Sequence, residues 1–125
     1  WTKVGIVFEQ TTGIHVTFDI QEEFEGVSSE TKYTVYRVIQ ECLTNACRHG
    51  QARRVDVAVW RRNGTLLVRI SDNGRGASSV DEGNGLRGVR ERVEALGGKV
   101  AYRFARGCGF DVGIELPESS TGGET

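Results

Sequence analysis

Three groups of residues have the types and spacing to do chemistry. Glu41, Asn45 and His49 recur every four residues on one predicted helix, so at about 100° per residue they stay within roughly 40° of one another along one face. A carboxylate and a carboxamide one turn apart can both address a hydrated divalent cation, because Mg2+ keeps several waters and takes only one or two protein oxygens. By itself that polar line equally describes a solvated helix face. The second group, Asp72-Asn73-Gly74-Arg75-Gly76, follows directly on a predicted strand. Its glycines let the backbone turn with positive φ and approach a ligand closely, although a plain turn has the same composition. An EF-hand calcium loop is excluded, since Gly74 takes the third position and no helix precedes it. The third group, Gly83-Asn84-Gly85-Leu86-Arg87-Gly88, matches G-x-G-x-x-G literally, but it lacks the preceding strand and the βαβ unit that dinucleotide binding needs. What remains is a glycine-rich loop leading into a helix start, where free N–H groups and the positive dipole end face an anion such as phosphate.

The elements that must position these groups follow from periodicity. Ile14, Val16, Phe18 and Ile20 alternate with His15, Thr17 and Asp19, which predicts a strand over 13–21 with His15 on its wetter side rather than on a metal. After Ser28 and Ser29, the residues Val35, Val38, Ile39, Cys42, Leu43 and Ala46 recur at helical spacing as far as His49, with Gly50 as the stop. The apolar stripe turns Glu41 and Asn45 toward solvent or a cleft. Strands over 52–60 and 65–72 flank Asn63-Gly64, a hairpin signal. Residues 77–84 follow neither period and predict a mobile loop, in functional terms a lid. Leu86, Val89, Val93 and Leu96 mark a second helix stopped by Gly97-Gly98, and strands over 99–105 and 110–116 complete the chain. Residues 1–12 read as a truncated helix, and 118–125 as a disordered tail of serine, threonine, glycine and acid. The sum is an α+β fold, a two-layer sandwich with helices on one face of a mixed, mostly antiparallel sheet.

Composition excludes several classes. With 125 residues, one domain is expected; 38% apolar and 26% charged residues are ordinary for a soluble fold, and neither a membrane segment nor a signal peptide is visible. A formal net charge of -1 lacks the basic excess of a nucleic-acid binder. Cys42, Cys47 and Cys108 form no C-x-x-C pair, which argues against zinc or a disulfide framework and for reduced, cytosolic thiols.

Taken in order, Glu41-Cys42-Leu43-Thr44-Asn45-Ala46-Cys47-Arg48-His49, Asp72-Asn73-Gly74-Arg75-Gly76 and Gly83-Asn84-Gly85-Leu86 resemble the GHKL-type ATPase domain of bacterial sensor histidine kinases. The similarity covers about residues 13–117. Tyr36-Arg37-Val38-Ile39-Gln40-Glu41 and Leu86-Arg87-Gly88-Val89-Arg90-Glu91-Arg92-Val93 resemble the subfamily paired with helix-turn-helix response regulators. The resemblance implies the Bergerat-type ATP-binding fold, with residues 1–117 as the catalytic domain. It also implies ATP and Mg2+ as ligands. Asn45 then matches the Mg2+ ligand, Glu41 the carboxylate that activates the attacking group, Arg48 a phosphate contact and His49 a ring beside the nucleoside. Asp72 matches the acceptor of the adenine amine, with Gly76 letting the backbone pass the base and Gly74 among the ATP-binding positions. Gly83, Asn84, Gly85 and Leu86 correspond to lid and phosphate contacts. Two departures bear on affinity: Phe110 follows Gly109 where a small hydroxyl residue is frequent, and Asn84 stands where many relatives carry histidine.

The phosphoacceptor histidine of this family lies on a separate helical dimerisation domain, and His15 and His49 lie in the wrong elements to replace it. The chain is therefore expected to be the C-terminal catalytic part of a longer kinase. As a piece it is expected to be monomeric and cytoplasmic, within a homodimer that is free to carry a membrane anchor. A response regulator is the expected partner and nucleic acid is not. An anti-sigma-factor-type serine kinase of the same fold, or a degenerate nucleotide-binding interaction module, are the alternatives. Gyrase, mismatch-repair and chaperone clamps need a longer lid than 77–84 supplies.

Overall fold

The computed structural model describes residues 9–20, 27–46, 52–74, 83–104 and 109–117. Its elements in chain order are β1 (His15–Ile20), α1 (Ser29–Asn45), β2 (Arg54–Arg62), β3 (Thr65–Asp72), α2 (Gly83–Ala95), β4 (Lys99–Phe104) and β5 (Phe110–Pro117). Residues 9–12 are also helical. The rest of the expected first helix, the stop at Gly50, the lid over 77–82 and the tail over 118–125 lie outside the described residues.

Helix α1 begins where Ser28 supplies a cap: its backbone is extended, and its hydroxyl accepts from the Thr31 N–H at 3.1 Å. That satisfies one of the amide groups that a helix start leaves without an intrahelical partner. The periodic residues Val35, Val38, Ile39, Cys42 and Leu43 are buried, as the spacing requires. Helix α2 buries Leu86, Val89 and Val93 in the same manner. It ends in a Schellman motif, with the Gly98 N–H on the Val93 carbonyl and the Gly97 N–H on the Glu94 carbonyl, each at 2.9 Å.

One difference from expectation concerns where α2 starts. Gly83 and Asn84, expected in the loop, already form its first turn together with Gly85. Glycine and asparagine are poor helix formers in an interior, but at a helix start the N–H groups have no intrahelical acceptor to lose.

The sheet order is β1-β2-β3-β5-β4. β1 and β2 run parallel, joined across the sheet face by α1, while the other three pairings are antiparallel. At the β2–β3 turn, Asn63 and Gly64 have φ of 52° and 77°, the two positive values that a tight I′-type hairpin demands. Side chains in register form apolar rows across all five strands. One row is Phe18, Val57, Ile70, Val112 and Tyr102; the next is Ile20, Val59, Val68, Ile114 and Val100. These rows and the buried faces of α1 and α2 make one hydrophobic core, so the helices cover one face of the sheet.

The opposite face is wet and charged. Arg54 pairs with Asp56 and Arg69 with Asp111, each at 2.8 Å. Partial burial alone would raise both carboxyls. Hydrogen bonds from Thr17 and Arg54 to Asp56, and from Ser71 and Arg69 to Asp111, together with nearby cationic charge, hold both below the usual aspartate value. Carboxyls lowered in this way stabilise the fold at neutral pH, and that contribution is lost as pH falls through the lowered values. Among the described residues no helix is long and apolar enough to cross a membrane.

Candidate functional site

Strand parity decides where Asp72 points. Leu66, Val68 and Ile70 on β3 face the helices and are buried, and Asp72 is the next residue of that series. It sits in a row with Val16, Val55 and Phe110, so a carboxylate stands among apolar side chains at the end of the covered face. Two backbone amides hold it. Gly74 N–H donates to Asp72 Oδ1 at 2.8 Å, and the Phe110 N–H donates from the neighbouring strand. Burial raises the Asp72 carboxyl above the ordinary aspartate value; the two amides oppose that rise and the charge of Asp111 adds to it.

Glu41 approaches from the other layer. Its carboxylate is mostly buried and meets Arg37 one turn earlier, with Oε2 at 3.4 Å from the guanidinium. Buried Cys42, next to Glu41 on α1, feels the charge of both carboxylates. Its buried thiol is pushed up to about 12, first by burial and then by the charges of Asp72 and Glu41, so both lie close enough to act on it. A thiol that weakly acidic stays protonated at neutral pH and serves as packing rather than as a nucleophile. Asn45 follows one turn after Glu41 and is half-buried, at the end of α1.

A second close approach comes from Gly109, immediately before β5. Gly109 has φ of 82°, and a Cβ built on it would run into the Asp72 carbonyl oxygen. Gly109→Ala is therefore expected to cost at least about 2 kcal/mol, combining a left-handed backbone with a steric clash. Urea unfolding checks this; a loss below about 0.5 kcal/mol, the scatter of ordinary surface substitutions, would mean that the β3–β5 junction is not packed as described.

Of the residues singled out by sequence, Glu41, Asn45, Asp72 and Gly74 are described at this end of the helix–sheet layer. Gly83, Asn84 and Gly85 are described as backbone in the first turn of α2, and Leu86 is buried at 6% exposure. Arg48, His49 and Gly76 lie outside the described residues. Asn73, Cys42 and Gly109 are present in the sequence motifs and stripes, but the sequence assigns none of them a part in the site. The signal for Gly109 was present, a glycine immediately before a clean alternating strand; the contacts of Asn73 and Cys42 depend on tertiary pairing and had no local signal. A groove of about 440 Å3 lined by Ser29, Tyr33, Arg92 and Leu96 opens at the opposite end of α1, and its Arg92 lies over the Tyr33 ring at 4.9 Å. It is remote from the carboxylates.

The donor set bears on which metal would fit. Among the described residues no three His, Cys, Asp or Glu side chains form a metal cage. An Asn45 carboxamide beside Glu41 suits instead a cation held chiefly by phosphate oxygens and water, as Mg2+ is on a nucleotide.

Residues 30–120 match the family model described as histidine kinase-, DNA gyrase B-, and HSP90-like ATPase. The chain belongs to this ATPase family. Its candidate carboxylates thus stand in an ATP-binding domain, and an ATP ligand follows from membership. The sensor histidine kinase YxjM of Bacillus subtilis is 32% identical over 121 residues, covering 93% of this chain and 29% of YxjM. The oxygen sensor histidine kinase NreB of Staphylococcus carnosus is 32% identical over 114 residues, covering 88% of this chain and 33% of NreB. The ATPase domain therefore spans about a third of the curated relatives it matches. The histidine kinase domain of the Erythrobacter litoralis EL346 blue-light activated kinase superposes with a TM-score of 0.78 at 24% identity, over 96% of this chain and 60% of that one, which shows the shared fold.

Proposed function

We propose that this ATPase domain is the catalytic part of a sensor histidine kinase, binding Mg-ATP and delivering the γ-phosphoryl to a histidine on a separate helical dimerisation domain. The observation that carries the reading is the half-buried Asp72, aligned by two amides on the helix-covered face and sharing Cys42 with Glu41. The names of YxjM and NreB support the kinase assignment. Residues 1–117 form the catalytic domain in this reading, and 118–125 its tail.

Each side chain has a distinct part. Ionised Asp72 accepts from the adenine amine, while Gly74 and Gly76 keep the backbone close to the ring. Guanine would set its carbonyl against the carboxylate with no proton between them, leaving buried groups unpaired. His49 lies beside the nucleoside. Asn45 and Arg48 hold the metal-bound phosphates, and the amides from Gly83 to Leu86, at the positive end of α2, face them. Mg2+, when bound, neutralises charge on the phosphates. Glu41 takes the proton from the attacking imidazole nitrogen as the new N–P bond forms and the β–γ bridging bond breaks, with ADP leaving. The full kinase acts as a homodimer, with this domain in the cytoplasm, and its phosphohistidine passes the phosphoryl group to a response regulator of the helix-turn-helix type; the catalytic piece alone is monomeric.

Calorimetric titration of the 125-residue chain with Mg-ATP tests the reading. Binding below millimolar concentration is expected, weakened about tenfold or more in Asn45→Ala, as the loss of one hydrogen bond to a charged group implies. Absence of binding at millimolar Mg-ATP, or an Asn45→Ala variant that binds as the parent does, would overturn it.

A further inference from the structure

Asn73 stands between Asp72 and Gly74, and its side chain is engaged by backbone amides at the entry of β2. Its Oδ1 accepts two backbone amides at once, Arg53 N–H and Arg54 N–H, each at 2.9 Å. Its own N–H donates to the Arg54 carbonyl at 3.2 Å. Three hydrogen bonds therefore fasten the turn after β3 to the entry of β2, a segment 19 and 20 residues earlier in the chain.

The entry of β2 is in turn fastened to two other elements. Ala52 N–H donates to the Ala46 carbonyl at 3.3 Å, at the end of α1 just past Asn45. The Arg53 carbonyl accepts from His15 N–H at 2.9 Å, which joins β1 to the same point. Among the described residues, backbone contacts thus run from Ala46 through Ala52 to Arg54, and cross to the Asp72 turn through Asn73 and the β2–β3 ladder.

From this we infer that Asn73 is a positioning residue for nucleotide binding, a clamp that sets the Asp72–Gly74 turn relative to the end of α1. The inference rests on the proposed function, since it assigns Asp72 to the base and Asn45 to the phosphates; a ligand that touches both ends needs their separation fixed before it arrives. Misplacement by about an ångström is enough to weaken contacts at one end when the other is engaged. Asparagine suits the task because one carbonyl oxygen has two lone pairs for two amides. Aspartate would keep both acceptor sites, whereas alanine would leave Arg53 and Arg54 N–H to water.

The test uses Asn73→Ala and Asn73→Asp in the full 125-residue chain, with two readouts. Amide hydrogen exchange in the nucleotide-free protein reports the clamp alone. Asn73→Ala is expected to speed exchange of Arg53, Arg54 and Gly74 about tenfold or more while leaving Val68 and Ile114 in the sheet centre unchanged. Calorimetry with ADP reports the consequence: roughly tenfold weaker binding in Asn73→Ala and near-parental binding in Asn73→Asp. Unchanged Gly74 exchange in Asn73→Ala overturns the clamp. Faster exchange with ADP affinity intact overturns its role in binding, as does Asn73→Asp failing to restore the affinity. A parental chain that binds no ADP refutes the proposed function and the binding role with it, and the exchange data then still judge the clamp separately.

Discussion

Asp72→Asn is expected to weaken ATP and ADP binding roughly 10- to 100-fold at pH 7 while leaving the nucleotide-free fold at least as stable as the parent. The carboxamide keeps one oxygen for the Gly74 and Phe110 amides that hold Asp72. Its NH2 group, however, meets the adenine amine donor to donor. The stability half follows from the direction of the Asp72 shift. Burial raises its carboxyl in the folded chain, so the folded state favours the protonated form. That favourable contribution is fully present below the unfolded-state value and is lost as pH rises through the raised folded-state value. At pH 7 the ionised carboxylate is a cost carried for binding, and a neutral carboxamide removes it. In the parent, nucleotide affinity should also fall on acidification at a pH above the ordinary aspartate range, and Asp72→Asn should flatten that dependence. A variant that unfolds, or that binds ADP as the parent does, would show that Asp72 is structural and the base lies elsewhere.

Glu41→Gln has the second large effect, and it is one of rate. A positioned general base contributes about 10² to 10⁴, so phosphoryl transfer in the full-length kinase is expected to fall by that factor with Mg-ATP affinity changed by less than about threefold. Arg37 would lose its ionic partner at 3.4 Å, a pairing of the half-exposed kind that adds little to stability. Single-turnover transfer from radiolabelled ATP separates the two quantities. Equal losses in affinity and rate would place Glu41 in binding; an unchanged rate would move the base to another residue. Asn45→Ala shows the opposite pattern in the proposed scheme, losing binding first.

Much of the fold was legible because its signals are local. Alternation over 65–72 marked β3, whose buried residues Leu66, Val68 and Ile70 lead to Asp72 in the fold. Asn63-Gly64 announced the hairpin with the two positive φ values found there. The stripe from Val35 to Leu43 set the buried side of α1 and so left Glu41 at its margin. The features that escaped are the non-local ones. Nothing in 13–21 says that β1 lies parallel to β2, because parallel pairing is made through the α1 crossover rather than a turn. Insertion of β5 between β3 and β4 is equally silent in sequence, yet it brings the Phe110 amide and Gly109 against Asp72. The start of α2 at Gly83 is not legible in sequence because Gly83-Asn84-Gly85 has a loop's propensities, which a helix start tolerates. Asn73 resembled any turn residue until Arg53 and Arg54 were seen to face it.

The departure at Phe110 takes on a different aspect in three dimensions. A small hydroxyl residue there would add a side-chain contact near the base, but the backbone N–H of Phe110 already reaches Asp72. Its ring meets Tyr102 at 5.9 Å between centroids, on the covered side of the sheet. Phe110 therefore keeps the amide that orients the carboxylate and, in the proposed scheme, adds apolar surface beside the adenine ring.

Adenine recognition through Asp72 at the end of β3 is judged by paired titrations of the parent chain with Mg-ATP and Mg-GTP. ATP is expected to bind at least about tenfold more tightly than GTP, because guanine leaves the carboxylate without a donor. Equal affinity for the two nucleotides, or a preference for GTP, would contradict it.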